Sequence, residues 1–125
     1  MRITVVLADD EQMVRSGLRL ILESEDDIEV VGEAGDGAEA LELARRLDPD
    51  VVLMDVQMPV MNGIEAVTAI RAQERERGGH IPILAMTAHA AGTDETWCLE
   101  AGMDAYLAKP VDLDEFIGTL RQMLG

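Results

Sequence analysis

The 125-residue sequence predicts an α/β domain, a five-stranded parallel sheet with helices wound on both of its faces. Three observations predict it. Short apolar runs rich in β-branched residues recur along the chain. Segments of helical periodicity separate them. Three of the runs are apolar nearly throughout, as strands covered on both faces must be, and lack the polar–apolar alternation of a half-exposed sheet. The resulting order is β-α-β-α-β-α-β-α-β-α, in a single domain spanning residues 1–125, joined by right-handed crossovers.

The first strand is the run Ile3 to Leu7. The first helix follows from Val14, Leu18, Ile21 and Leu22, spaced i, i+4, i+7 and i+8. The second strand, Ile28 to Ala34, carries Glu29 and Glu33 and suits an edge. In the second helix Leu41, Ala44 and Leu47 share a face, and Asp36 with Glu39 offers a capping box. Val51 to Met54 is the third strand. The third helix repeats Ile64, Val67 and Ile70, is entered by Asn62-Gly63 and ends at Gly78-Gly79. Ile83 to Met86 is the fourth strand. The fourth helix, between Ala91 and Ala101, is the weakest: Gly92, Thr93 and Thr96 interrupt it, so a short and more mobile element is expected. Ala105 to Ala108 forms the other edge strand. The fifth helix has the clearest stripe, Leu113, Phe116, Ile117, Leu120 and Leu124, with Asp112 and Glu115 at its start. Three apolar strands in the centre and a polar second strand at an edge give the order 2-1-3-4-5, the flavodoxin-like arrangement.

Composition narrows the function. Hydrophobic residues make up 48% of the chain, too many for a disordered acidic tail. Asp and Glu number 25 against 10 Lys and Arg, for a net charge of −15. So acidic a surface argues against nucleic acid as a direct partner, because a phosphate backbone needs a basic face. Cys98 is the sole cysteine, so no intrachain disulfide can form, which fits a reducing compartment. No apolar run approaches the roughly 18 residues of a membrane span. The apolar start meets Asp9-Asp10-Glu11 too soon for a secretory signal. A cytoplasmic domain without membrane association is expected.

In an open parallel sheet, ligands bind beyond the carboxyl ends of the strands, at the switch point between the first and third. Asp9, Asp10 and Glu11 follow the first strand, and the third ends at Asp55. The fourth ends at Thr87, before Ala88 and His89, and Lys109-Pro110 follows the fifth. Three converging carboxylates repel one another, and desolvation makes the repulsion worse. A hard divalent cation relieves it; Mg²⁺ suits a few carboxylates and retained waters. Lys109, the only lysine, can offset charge as well and meet a phosphoryl oxygen as a point charge. Taken alone, an Asp-Asp pair is usually a helix cap, Thr87 a turn residue and Lys109 a surface charge. Taken as a set at one sheet edge, they read as a metal site with an ammonium beside it.

Asp9-Asp10, Asp55 with Met58-Pro59, Thr87-Ala88 and Lys109-Pro110 resemble the receiver domain of two-component response regulators, over the whole chain. The resemblance implies a phosphoacceptor switch rather than an enzyme acting on a separate metabolite. Its phosphorylation and dephosphorylation would be autocatalytic. Asp55 would accept the phosphoryl group from a phosphohistidine on a histidine kinase or histidine phosphotransfer protein. Asp9 or Asp10, Asp55 and the backbone carbonyl of Gln57 would hold Mg²⁺. Lys109 would contact one phosphoryl oxygen and Thr87 another. Thr87 and Tyr106, three residues before Lys109, would carry the switch to a surface made by the fourth helix, fifth strand and fifth helix. Ala88 leaves the phosphoryl group room, and Gln57 and His89 are placed to tune water access to it. With the last helix ending near Gly125, either output runs through a downstream protein or the chain is an excised receiver, and a monomer or a phosphorylation-dependent dimer is expected.

The first half, with Ala8-Asp9-Asp10 and Val30-Val31-Gly32-Glu33-Ala34, resembles receivers of LuxR-type regulators. The second, with Ile81 to Ala90 and Gly102-Met103-Asp104, resembles receivers of hybrid sensor kinases, a mixture that suggests a chimeric or engineered chain. Three other functions compete. A flavin carrier would need a phosphate loop after the first strand and aromatics to stack on, yet aromatics are 2%. A phosphatase with an aspartate nucleophile would carry a second acid where Gln57 stands. An inert interaction module would keep the motif without using it.

Overall fold

A computed structural model describes residues 2–56, 58, 60–87, 98–108 and 112–124. Five strands, β1 (Ile3–Ala8), β2 (Ile28–Ala34), β3 (Val51–Asp55), β4 (Ile83–Thr87) and β5 (Ala105–Ala108), form one sheet. Its order is β2-β1-β3-β4-β5, and every neighbouring pair is parallel. The helices are α1 (Gln12–Glu23), α2 (Gly37–Leu47), α3 (Gly63–Arg77) and, last in the chain, α4 (Leu113–Leu124). The helix expected between Ala91 and Ala101 lies mostly outside the described residues; 98–101 are helical.

The central strands divide their side chains between two cores. Val6, Ala8, Val52, Met54, Ile83 and Ala85 pack under α2 and α3. Val5, Leu7, Val51, Leu53, Leu84 and Met86 pack under α1 and α4, with Leu18, Leu22, Phe116 and Leu120. Because successive side chains point to opposite faces and both faces are covered, every position of β3 and β4 is buried. That is why these runs show no alternation.

Helix boundaries follow local chemistry. A complete capping box stands at α3, where Asn62 Oδ1 accepts from Glu65 N at 2.9 Å and Glu65 Oε1 accepts from Asn62 N at 3.1 Å. At α2, Asp36 Oδ1 accepts from Glu39 N at 2.8 Å. Gly78, at φ +84°, lets the chain leave α3.

Two stripes differ from expectation. In α2 the buried positions are Gly37, Ala40, Leu43 and Ala44, while Leu47 is exposed. Small residues set that face, because α2 must lie close to the loop before α3: Gly37 N donates to Met61 O at 2.7 Å, and a Cβ on Gly37 would fall 2.1 Å from that oxygen. In α1, Leu18 and Leu22 are buried but Ile21 is partly exposed.

Candidate functional site at the carboxyl edge of the sheet

β1 and β3 are neighbours, so the residues at their carboxyl ends meet although 45 positions apart. Asp55 ends β3, and Asp9 and Asp10 follow β1. One carboxylate oxygen from each of the three lies within 4.8 Å of the others. Asp9 is fully buried, Asp55 is 5% exposed and Asp10 faces solvent. Thr87, also buried, ends β4 on the other side of β3, one residue beyond Met86, which pairs with Asp55. Asp55 thus stands between the strand that leads into Asp9 and Asp10 and the strand that ends at Thr87. Tyr106 lies on β5, partly buried, paired with Ala85. Gln57, Ala88, His89 and Lys109 lie outside the described residues.

The backbone around the acids is tightly fixed. Asp9 N donates to Ala34 O at 3.0 Å, and Asp9 Oδ1 accepts from Glu11 N at 2.9 Å. After Asp55 the chain turns against α3: Gly63 N donates to Val56 O at 2.9 Å, and a Cβ on Gly63 would lie 2.5 Å from Asp55 O. Between these points Val60 sits at φ +65° and is 85% exposed. A β-branched residue rarely adopts that conformation.

The donor set is chemically specific. It offers oxygens only, carries a formal charge of up to −3 and is open to solvent through Asp10. Such a set fits a hard divalent cation with a partly retained water shell; it does not fit zinc or copper, which favour nitrogen and sulfur. Sequence reasoning missed Arg15. Its Nη1 donates to the Asp9 carbonyl oxygen at 2.5 Å, and its Nε lies 3.3 Å from Glu33 Oε1. Only the pairing of α1 with β2 brings Arg15 and Glu33 together, and no local pattern signals it.

A doubly wound parallel sheet with an acidic triad at the ends of β1 and β3 defines a phosphoacceptor switch domain of two-component signalling. The chain belongs to the response regulator receiver domain family, whose model matches residues 5–121. It is 37% identical over 119 residues to the nitrate/nitrite response regulator protein NarL of Escherichia coli, covering 95% of this chain and 53% of NarL. It is 55% identical over 71 residues to histidine kinase 1 of Arabidopsis thaliana, covering 57% of this chain and 6% of the kinase. The chain spans about half the length of the response regulators it matches. Among solved structures, the receiver domain of sensor histidine kinase PA1611 from Pseudomonas aeruginosa superposes with a TM-score of 0.84 at 35% identity. That match covers 98% of this chain and 97% of the other, which has a magnesium ion coordinated in its active site cleft. Among the described residues, no helix is long and apolar enough to cross a membrane.

Proposed function

We propose that Asp55 is the phosphoacceptor and that Asp9, Asp10 and Asp55 hold Mg²⁺ beside it, with the Gln57 carbonyl as a further ligand. The observation that carries the reading is the convergence of the three carboxylates within 4.8 Å. Asp55 is favoured as nucleophile because it stands on a central strand, with Asp9 and Asp10 on one side and Thr87 on the other. Asp9 is less suited, since it is fully buried while Asp55 keeps some exposure.

An Asp55 carboxylate oxygen attacks the phosphorus of a phosphohistidine. The P–O bond forms as the P–N bond breaks, and the imidazole leaves with the electron pair and takes up a proton. The product is an acyl phosphate on Asp55. Mg²⁺, when bound, offsets the charge that three carboxylates and the phosphoryl oxygens bring together. Lys109 neutralises one phosphoryl oxygen and the Thr87 hydroxyl donates to another, which aligns the group and stabilises spread charge. Ala88 leaves space for the group, and Gln57 and His89 govern the water that later hydrolyses it. Both half-reactions use groups of this chain, so phosphorylation from a small donor and dephosphorylation are autocatalytic.

Movement of Thr87 toward the phosphoryl group draws the loop after β4 with it, and Tyr106 follows. The changed surface comprises the segment between Ala91 and Ala101, β5 and α4. The donor is a histidine kinase or histidine phosphotransfer protein in the cytoplasm, and the domain spans residues 1–125. The direct test is labelling with acetyl phosphate and Mg²⁺. Wild type gains one phosphate and Asp55→Asn gains none while its circular dichroism stays native. Equal labelling of Asp55→Asn refutes the assignment.

A further inference from the structure

The peptide between Asp9 and Asp10 lies one step past the end of the β1–β2 ladder, whose last pair is Ala8 with Ala34. Its orientation decides how Asp10 leaves the strand toward Asp55. Arg15 contacts that peptide. Its side chain is 18% exposed, and Nη1 donates to the Asp9 carbonyl oxygen at 2.5 Å. The guanidinium is itself held: Nε lies 3.3 Å from Glu33 Oε1 on β2, and Glu33 Oε2 accepts from Arg19 Nη1 at 2.6 Å. The loop after β2 closes over it, since a Cβ on Gly35 would lie 3.6 Å from Nη1. A planar fork fixed at Nε by one carboxylate presents Nη1 in a single direction, which a lysine ammonium cannot reproduce.

We propose that Arg15 is a positioning residue for the acidic site, holding the Asp9–Asp10 peptide so that both carboxylates meet Asp55. This rests on the Mg²⁺ reading given under Proposed function. Two effects of the residue oppose each other. Its charge repels a divalent cation nearby, while its hydrogen bond assembles the ligands. Glu33 neutralises much of that charge locally, so geometry dominates. Residues that orient metal ligands from behind are commonly worth tenfold or more in affinity.

The opposition gives the test a sign. The intact chain is titrated with MgCl₂ alone by calorimetry, and acetyl phosphate labelling is timed at saturating Mg²⁺. Arg15→Met and Arg15→Lys are each expected to raise the Mg²⁺ Kd about tenfold and to slow labelling. Arg2→Met, which breaks the ion pair to Glu29 on the same strand but touches neither Glu33 nor Asp9, is expected to keep the wild-type Kd. Tighter Mg²⁺ binding by Arg15→Met, or a wild-type Kd in Arg15→Lys, overturns the proposal, because either shows a charge effect without positioning. If Arg15→Met does not fold, Arg15→Lys, which keeps the stem and charge, decides alone. A wild-type chain that binds no Mg²⁺ refutes the functional reading itself, and this inference with it.

Discussion

At the amino edge of the sheet, Arg71 joins α3 to the starts of β4 and β5. It donates to Glu74 at 2.7 Å, to Asp104 at 2.7 Å and to the carbonyl oxygens of Gly102 and Ile81. Asp104 also accepts from Ile83 N at 2.8 Å, and His80 Nε2 lies 2.7 Å from its other oxygen. Asp50, just before β3, and Thr4 on β1 bond each other reciprocally. At the carboxyl edge, by contrast, three carboxylates are packed together, two of them buried. One edge matches its acids to cations and backbone donors and so tightens the fold. The other concentrates negative charge that folding alone would disfavour. The paired acids and the clustered acids thus stand at opposite ends of the same sheet.

The comparison can be broken at either edge, and the largest effect is expected at the carboxyl one. Asp55→Asn abolishes labelling by acetyl phosphate, yet leaves stability unchanged or raises it by about 1 kcal/mol, because one of three like charges is gone. Urea unfolding and intact mass give both readouts. Arg71→Met does the reverse. It removes the cation that Glu74 and Asp104 share, lowers stability by roughly 3 kcal/mol, and leaves labelling of the folded fraction near the wild-type rate. An Arg71 variant that stays stable would show that the amino-edge network contributes little.

Mg²⁺ sharpens the contrast. At a hundred times its Kd it should stabilise the wild type by about 2.7 kcal/mol, seen as a rise in urea midpoint. The Asp9→Asn, Asp55→Asn double variant should show almost none of that gain. The smallest effect is expected at Val60. Its positive φ costs on the order of 1 kcal/mol, and its exposed side chain offers little packing in return. Val60→Asn should therefore raise the urea midpoint by a corresponding amount, and a lower midpoint would show that the exposed valine is needed where it stands.

The carboxyl edge was readable in the sequence because its residues sit at the ends of apolar runs. Once Ile3–Leu7 and Val51–Met54 are taken as parallel neighbours, Asp9, Asp10 and Asp55 must meet. The strand order followed in the same way from three buried runs and the two glutamates of β2. The amino edge was not readable. Arg71 and Asp104 are 33 positions apart, and nothing local distinguishes Arg71 from Arg75 or Arg77 until α3 is laid on the sheet. Arg15 escaped for the same reason. The buried face of α2 was misjudged because a pattern of large side chains gives no weight to Gly37 and Ala40, whose smallness allows the close approach to Met61. Short-range rules reveal where strands end; they do not reveal which distant ions the packing will pair.

The most direct test of the carboxylate cluster as a phosphoacceptor site is peptide-level mass spectrometry of the wild-type chain after treatment with acetyl phosphate, with and without Mg²⁺. The predicted result is a single phosphate on Asp55 that requires Mg²⁺. A phosphate mapped to another residue, or labelling of Asp55 at the same rate without the metal, would contradict it.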